Sequence, residues 1–324
     1  MKAALVKTYG TPDSIVIEDV PSPSPKPGEV KLRLRACGVN FPDVLMVAGK
    51  YQFKPEMPFS PGAEMAGDVI ELGKGVENIA VGARMLCMVG HGGMAEEICV
   101  PADTVVPIPD VMDYNTAAAV MLTYGTSYHA LKQRAAIQPG ETLLVLGAAG
   151  GVGLAAVELG AKMGAHVIAA ASSDEKLALA KSYGAKDLIN YTEVSLKDTV
   201  KELTKGRGVD VIYDPVGGDL FDDCLRSLAW RGRLLVIGFA AGEIPKAPAN
   251  LPLLKGSSIV GVFWGAFTKH EPAAHVENMQ ELVGWFSTGE LKPHIGDVLP
   301  LDKAAEAMNI LASRQAMGKV VIEI

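Results

Sequence analysis

The sequence predicts an α/β fold in which a six-stranded, doubly wound parallel sheet is joined to a smaller, β-rich domain. Three observations predict it. Between residues 142 and 262, apolar runs of strand length alternate with segments of helical periodicity. A cluster of glycines, residues 147–153, directly follows the first of these runs. The first 110 residues instead contain many short strand-like runs separated by glycine and proline, which is typical of a small barrel or sandwich.

The composition indicates a globular protein of two domains. The chain has 324 residues, of which 49% are hydrophobic and 21% charged, so it can bury a large core. A net charge of −7 argues against a nucleic-acid or anionic-membrane partner. Four cysteines without a C-x-x-C pair favour reduced thiols. Because the N-terminus lacks the apolar core of a signal peptide and no apolar run is long enough to span a membrane, we expect a soluble, cytoplasmic protein.

The β-rich domain is predicted to comprise residues 1–120 and 264–324. Residues 30–36 alternate apolar and basic side chains, the pattern of a strand with one face in water. A proline-rich linker, residues 21–28, precedes this strand, and a short helix through Met46 follows it. The other predicted strands are 2–7, 15–20, a segment after Pro61, 81–88, 95–100 and 319–324, and the predicted helices are 113–119, 274–288 and 302–313.

The second domain is predicted to comprise residues 121–263 and to begin with a helix, 121–134. Its six strands and their helical crossovers match the dinucleotide-binding Rossmann fold. The predicted strands are 142–146, 166–171, 187–190, 209–214, 233–237 and 257–262, and the helices between them are 151–164, 174–183, 195–204 and 219–228.

The glycine cluster is a candidate binding site for a pyrophosphate. Gly147, Gly150 and Gly153 have the spacing G-x-x-G-x-x-G, whereas the more familiar G-x-G-x-x-G would have Ala148 in its first place. Glycine permits a close approach of backbone to phosphate, and the amides of Ala149, Gly150, Gly151 and Val152 open a helix whose positive end attracts anions. The alternative is a tight turn between strand and helix with no ligand.

The end of the second Rossmann strand favours NADPH over NADH. An NAD site has an acidic residue here that binds the ribose 2′-hydroxyl. This chain has Ala171 and Ser172 instead, and Lys176 follows about one helical turn later. A hydroxyl and an ammonium group suit a 2′-phosphate. The alternative is that residues 172–174 only cap a helix and that Lys176 is a solvated surface charge.

Several motifs together resemble the medium-chain dehydrogenase/reductase superfamily over essentially the whole chain. They are Lys26–Val30, Cys37-Gly38-Val39-Asn40 with Asp43, Pro61-Gly62-Ala63-Glu64 with Gly67, the 147–153 turn, and Asp214–Gly218. The resemblance implies a GroES-like catalytic domain beside the Rossmann domain. Its zinc enzymes carry cysteine and histidine where this chain has Asn40 and Ala63, and the four-cysteine lobe for structural zinc is missing. We therefore predict no metal.

These departures point to the zinc-free quinone oxidoreductase branch, which is related to zeta-crystallin and reduces quinones, enones or enoyl thioesters with NADPH. Such acceptors are already electrophilic, so hydride transfer needs positioning and stabilisation of the charge on oxygen. Enoyl- or acryloyl-thioester reduction is an alternative activity. A non-catalytic NADPH-binding sensor is an alternative of another class.

The resemblance also implies catalytic residues. Asn40 stands in the place of a metal ligand, and its amide is expected to hydrogen bond either the substrate carbonyl or the nicotinamide-side ribose. Tyr51 corresponds to a family tyrosine near the substrate and is a candidate proton or hydrogen-bond donor. Thr123 corresponds to a threonine beside the nicotinamide. The competing roles are an Asx turn for Asn40, aromatic packing for Tyr51 and helix capping or core packing for Thr123.

Further cofactor contacts are implied by the same resemblance. Tyr191 and Lys176 would bind the adenosine 2′-phosphate. Gly238 and Phe239 end the fifth strand, at the edge of the sheet where ligands bind. The backbone of Phe263, Trp264 and Gly265 would reach the nicotinamide amide, while the rings of Phe263 and Trp264 form a pocket wall or a dimer contact. Arg314 matches a family arginine near the cofactor, with a solvated helix-end charge as its alternative. Strand 257–262 is apolar, and we expect it to form a homodimer by pairing with its copy.

Overall fold

The computed structural model describes all residues from 1 to 324, and the chain divides into two compact units. The first unit consists of Met1–Leu122 with Lys292–Ile324, and the second of Thr123–Leu291. The strands are β1 Lys2–Leu5, β2 Val16–Asp19, β3 Glu29–Val39, β4 Glu64–Leu72, β5 Arg84–Met88, β6 Glu97–Pro101, β7 Val105–Pro107, β8 Thr142–Leu146, β9 His166–Ala171, β10 Asp187–Asn190, β11 Val209–Asp214, β12 Leu228–Val236, β13 Ser258–Gly261, β14 Ile295–Pro300 and β15 Lys319–Glu323. The helices are α1 Phe41–Val47, α2 Tyr114–Ala117, α3 Met121–His129, α4 Gly151–Lys162, α5 Asp174–Ser182, α6 Leu196–Leu203, α7 Leu220–Ser227, α8 Asn250–Lys255, α9 Trp264–His270, α10 Pro272–Ser287 and α11 Ala304–Ala312.

The second unit contains the predicted parallel sheet, so this part of the fold prediction is confirmed. Its strand order is β10-β9-β8-β11-β12-β13, and every neighbouring pair is parallel. All five residues of β8 are buried, because β8 lies inside the sheet with helices following each strand. Burying one such leucine or valine stabilises the fold by about 1.5–3 kcal/mol. The order reverses at β8, which is where α/β sheets of this topology bind ligands.

The boundary between the units differs from the predicted one in residues 264–291. We predicted this segment in the β-rich domain, but α9 and α10 belong to the second unit. The indole of Trp264 lies against Gly125 of α3, where a Cβ would come within 2.7 Å of the ring. Tyr128 stacks edge-on against Trp285 and hydrogen bonds Glu281. Aromatic packing on α3 therefore assigns the segment to the second unit, and periodicity alone carried no such information.

The first unit is built around the long strand β3. One sheet has the order β14-β15-β3-β4-β5-β7, with β6 also paired to β3, and β1 and β2 form a separate hairpin-like pair. Apart from the parallel β14–β15 pair, the ladders are antiparallel. The prediction that the basic side chains of β3 all face water is wrong for Lys31, which is buried and forms a 2.8 Å ion pair with Glu97.

The predicted helix 121–134 is interrupted. Residues Met121–His129 are α-helical, and the next five, Ala130–Arg134, form a π-helical turn. Helices α8 and α9 and strand β14 were not predicted individually. None of the helices combines the length and apolar character that crossing a membrane requires.

Candidate active site and cofactor site

The glycine turn of the second unit uses its three glycines for different reasons. Gly147 has φ +56°, a left-handed conformation that favours glycine. A Cβ on Gly153 would lie 2.1 Å from the Gly147 carbonyl oxygen, so only glycine lets α4 pack against this turn. A Cβ on Gly150 would meet nothing closer than 3.5 Å. The protein itself therefore does not require glycine at position 150, and the open space there suits a ligand.

The N-terminus of α4 provides the matching hydrogen-bond donors. Gly150 is the N-cap, and no side chain caps the helix. The first amides of an uncapped helix, here those of Gly151 and Val152, need acceptors from solvent or ligand. The hydroxyl of Ser127 donates to the Val152 carbonyl at 2.9 Å, which fixes this turn to α3. Ala149 is buried in the same turn. The Gly150 amide donates to the Gly147 carbonyl at 3.0 Å, so the candidate donors to a pyrophosphate are the amides of Gly151 and Val152.

The candidate 2′-phosphate residues lie at the ends of β9 and β10. The side chain that caps α5 is Ser173, which accepts from the Lys176 backbone, so Ser172 is not used as the cap. Instead, the Lys176 ammonium donates to the Ser172 hydroxyl at 3.4 Å. The Tyr191 backbone amide donates to the Ala171 carbonyl at 3.2 Å, which brings Tyr191 to the neighbouring strand end. No acidic residue ends β9.

The other predicted contacts of the second unit follow β12 and β13 at the same carboxyl edge. Gly238 lies just after β12, and the ring of Phe239 lies against Gly217. Gly265 is in the first turn of α9, and Phe263 precedes that helix with 63% of its surface exposed. The ring of Trp264 is buried within the second unit.

Thr123 is the first residue of the second unit and lies in α3, with only 2% of its surface exposed. Arg314, in the first unit, is an exposed residue just after α11 with φ +60°.

In the first unit, Asn40 belongs to a buried polar network with Glu64 and Lys319. The Lys319 ammonium donates to Asn40 Oδ1 at 2.7 Å and to Glu64 Oε2 at 2.9 Å. Asn40 Nδ2 donates to Glu64 Oε2 at 3.0 Å and to the Gly38 carbonyl at 3.3 Å. The side chains of Lys319 and Glu64 are 5% and 1% exposed. A buried ion pair is tolerated only with such additional hydrogen bonds.

The network joins three parts of the first unit that are distant in sequence. Asn40 follows β3, Glu64 begins β4 and Lys319 begins β15. The second carboxylate oxygen of Glu64 accepts the backbone amide of Leu122 at 3.0 Å. Gly38 is required because a Cβ there would lie 1.9 Å from the Ala118 carbonyl and 3.0 Å from the Lys319 ammonium.

Asp43 lies in the first turn of α1 and is fully buried. Its Oδ2 atom accepts the Asn40 backbone amide at 2.8 Å, whereas Oδ1 has no hydrogen-bond partner. Burial raises the pKa of Asp43 to about 6, although backbone hydrogen bonds and the Lys319 charge oppose the shift. The capping hydrogen bond supports the turn-forming role, and the unpaired oxygen is a feature that the sequence does not reveal.

Tyr51 is half-buried and packs against the apolar cluster that contains Val44, Phe59 and Met94. Burial raises the pKa of Tyr51, and the charge of Asp43 raises it further. The phenol therefore remains protonated at neutral pH and can donate a hydrogen bond.

The first unit does not offer a site for zinc at the position of the missing ligands. Asn40 and the buried Ala63 replace the sulfur and imidazole donors, and the ammonium of Lys319 already occupies the carboxylate of Glu64. Across the chain, no group of three or more His, Cys, Asp and Glu side chains is placed to hold a metal ion. A divalent cation does not fit beside this ammonium group.

Sequence reasoning assigned no role to Lys319 and quoted Glu64 only as part of a motif. A signal was present, because Lys319 opens an apolar strand and Glu64 opens another. A charged residue at such a position needs a buried partner of opposite charge. The partners are separated by 255 residues, so only the tertiary structure identifies the pair.

Two family models match the chain. The model described as "Alcohol dehydrogenase GroES-like domain" matches residues 26–110, and the one described as "Zinc-binding dehydrogenase" matches residues 151–283. The first lies within the first unit and the second within the second unit.

Relatives and solved structures resemble the chain over its full length. The "Quinone oxidoreductase-like protein 2 homolog" of Nematostella vectensis is 43% identical, covering 99% of this chain and 88% of the relative. A mycobacterial protein solved with NADPH is 32% identical with a TM-score of 0.93, and both chains are covered completely. The Escherichia coli quinone oxidoreductase, also solved with NADPH, is 28% identical with a TM-score of 0.93 and complete coverage of both chains.

Proposed function

Because this chain belongs to the medium-chain dehydrogenase/reductase superfamily as a quinone oxidoreductase-like protein, we propose that it transfers a hydride from NADPH to a quinone or another conjugated carbonyl. The observation that carries the proposal is the Lys319–Asn40–Glu64 network, which includes Asn40 at the position where, by the family resemblance, the zinc enzymes have a metal ligand. Without a Lewis acid, the acceptor must itself be electrophilic, as conjugated carbonyls are.

The cofactor assignment is supported by the second unit. An uncapped helix N-terminus and open space at Gly150 suit a pyrophosphate. The Ser172 hydroxyl and the Lys176 ammonium suit a 2′-phosphate, and no carboxylate at the end of β9 would repel it. The two solved relatives described above bind NADPH. The bound cofactor would supply the hydride from C4 of its nicotinamide.

The residues of the first unit would stabilise the oxygen of the acceptor. Hydride addition to a conjugated carbonyl leaves negative charge on that oxygen, which must be hydrogen bonded and then protonated. Tyr51 can donate because burial keeps its hydroxyl protonated. A proton from solvent would then restore the phenol and balance the reaction. Thr123, Phe263 and Arg314 remain proposed cofactor contacts on the strength of the family resemblance.

The substrate class is tested by steady-state turnover with NADPH. A panel of quinones and enones is compared with crotonyl and acryloyl thioesters, and NADPH consumption is the readout. We expect kcat/KM to be highest for a quinone or enone. A large preference for a thioester would instead identify an enoyl-thioester reductase. Tight NADPH binding without turnover of any of these acceptors would identify a non-catalytic sensor.

We also propose that the active form is a cytoplasmic homodimer. Strand β13 is an edge of the parallel sheet and carries Ile259 partly exposed. Neighbouring elements expose further apolar side chains, among them Trp230 at 70% and Leu253 at 80%. An apolar edge of this kind is normally paired or covered. Pairing β13 with its copy would satisfy both requirements.

A further inference from the structure

The hydrogen bonds of Asn40 account for every proton of its side-chain amide. An amide nitrogen carries two hydrogens, and an amide oxygen accepts through two lone pairs. Asn40 Nδ2 lies within hydrogen-bond distance of two oxygens of the first unit, Glu64 Oε2 at 3.0 Å and the Gly38 carbonyl at 3.3 Å, which is one acceptor for each hydrogen. Its Oδ1 atom accepts from Lys319 at 2.7 Å. The amide therefore has no donor left for a substrate.

The reverse orientation of this amide is excluded by its neighbours. Rotating the amide by half a turn would direct its NH₂ group at the Lys319 ammonium, which is also a donor. It would simultaneously direct its oxygen at the Glu64 carboxylate and the Gly38 carbonyl, which are both acceptors. All three contacts would become repulsive. Lys319 and Glu64 therefore select one orientation, and burial makes the selection strong.

The ion pair also fixes the chain where it leaves the first unit. Glu64 Oε1 accepts the amide of Leu122, and Thr123 is the next residue. The Glu64 carboxylate is only 1% exposed, and the Lys319 ammonium at 2.9 Å compensates its charge. Loss of Lys319 would thus disturb both the Asn40 amide and the backbone next to Thr123.

We propose that Lys319 and Glu64 are positioning residues that turn the donors of Asn40 inward, so that Asn40 does not donate to the substrate carbonyl and Tyr51 does. The proposal rests on the proposed function for its substrate.

The first experiment exchanges the two polar groups. The double variant Asn40→Asp/Glu64→Gln conserves net charge and shape, keeps a carboxylate for Lys319, and lets the new amide oxygen at position 64 accept from Leu122. It also places the NH₂ group of the new amide at position 64 against the Lys319 ammonium and an oxygen of the new carboxylate at position 40 against the Gly38 carbonyl, so the folded fraction is measured alongside kcat. The side chain at position 40 then carries no N–H group. Because removing a donor from a developing oxyanion costs about 10²–10³-fold in kcat, we expect kcat to stay within about 10-fold of the native value. A loss of about 10²-fold in a folded variant would overturn the proposal.

The second experiment compares two buried ion pairs of the same unit. Lys319→Met frees the Asn40 amide, whereas Lys31→Met breaks the Lys31–Glu97 pair, which has comparable burial at 11% and 17% side-chain exposure. We expect Lys319→Met to lower kcat by about 10²-fold per folded molecule with little change in the acceptor KM, because an uncompensated Glu64 no longer fixes the Leu122 amide next to Thr123. Lys31→Met should lower the melting temperature only. Activity that merely follows the folded fraction in both variants would reduce Lys319 to a structural role.

A third measurement does not depend on turnover. In a ¹⁵N NMR spectrum the side-chain NH₂ of Asn40 should exchange slowly with solvent in the native protein and rapidly in Lys319→Met. Rapid solvent exchange of this NH₂ group in the native protein would contradict the inward orientation. This result does not depend on whether the double variant Asn40→Asp/Glu64→Gln folds. Failure of the proposed function gives a different result from failure of this proposal, because the native protein would then consume no NADPH with any conjugated carbonyl.

Discussion

The ammonium of Lys176 lies 3.4 Å from the hydroxyl of Ser172, at the end of the second strand of the parallel sheet. The two groups form a donor pair where an NAD enzyme would have an acidic residue. Lys176→Ala should therefore raise KM for NADPH and leave KM for NADH nearly unchanged. Because a charge-assisted hydrogen bond contributes about 1.5–3 kcal/mol, the expected increase is about 10- to 150-fold.

Lys181→Ala is the matched control for this variant, because Lys181 is an exposed residue of the same helix. Steady-state kinetics with both cofactors measures the two effects. Equal changes for NADPH and NADH in Lys176→Ala would remove Lys176 from phosphate binding.

The glycine turn predicts opposite outcomes for two alanine substitutions. Gly153→Ala places a methyl group 2.1 Å from the Gly147 carbonyl oxygen, so it should lower the free energy of unfolding by at least about 1–3 kcal/mol. Gly150→Ala meets no atom closer than 3.5 Å and should lower stability by no more than about 1 kcal/mol, the difference between glycine and alanine at an N-cap, while weakening NADPH binding. Urea unfolding and fluorescence titration measure the two quantities. Undiminished NADPH affinity in Gly150→Ala would argue against a pyrophosphate at this turn.

Because of the raised pKa of Asp43, we expect the free energy of unfolding to depend on pH. Its pKa is raised from 3.8 to about 6 in the folded chain, so between these values the unfolded chain holds fewer protons than the native one. The contribution of Asp43 is therefore fully present below about pH 4 and is lost as the pH rises through about 6. Asp43→Asn should remove this slope.

Between pH 4 and 7 the native protein should lose roughly 2–3 kcal/mol of free energy of unfolding that Asp43→Asn does not lose. The buried amide of the variant adds a difference in stability that does not change with pH. Urea unfolding over this pH range gives the difference. Asp19→Asn, at an exposed position of the same unit, is the control. A pH-independent difference for Asp43→Asn would show that Asp43 keeps an ordinary pKa.

Tyr51→Phe tests the proposed hydrogen-bond donor. Removing the hydroxyl should lower kcat by about 10²–10⁴-fold with an unchanged affinity for NADPH. Tyr9→Phe, at a position that is 43% exposed, makes the same chemical change in the same unit and should have no such effect. Retention of native turnover in Tyr51→Phe would assign Tyr51 to aromatic packing alone.

Strand β13 predicts the effect of a charge on assembly. Ile259→Lys places an ammonium on the edge strand and should convert a dimer to a monomer, because a desolvated, unpaired charge is costly at an interface. Light scattering after size-exclusion chromatography gives the mass. Val111→Lys, at a position 75% exposed in the first unit, should leave the mass unchanged. A native protein that is monomeric at micromolar concentration would contradict the proposed dimer.

The strands of the Rossmann sheet could be predicted closely because their signals are local. Strands β8 to β11 have the predicted bounds, since β8, β9 and β11 are mostly buried apolar runs and the shorter β10 has two apolar residues between polar ones. The cofactor edge follows from the same regularity, because parallel strands present their carboxyl ends together. The assignment of residues 264–291 could not be predicted, because it depends on contacts such as Trp264 with Gly125.

By itself, the sequence determined the doubly wound sheet, the glycine turn and the absence of an acid after β9, since period, spacing and residue type are properties of neighbouring residues. Only the tertiary structure decided that Lys319 reaches Asn40 and Glu64, that Asp43 has an unpaired oxygen and that Lys31 is buried. The physical reason is that a buried charge is specified by its partner, and folding brings partners together from distant parts of the chain.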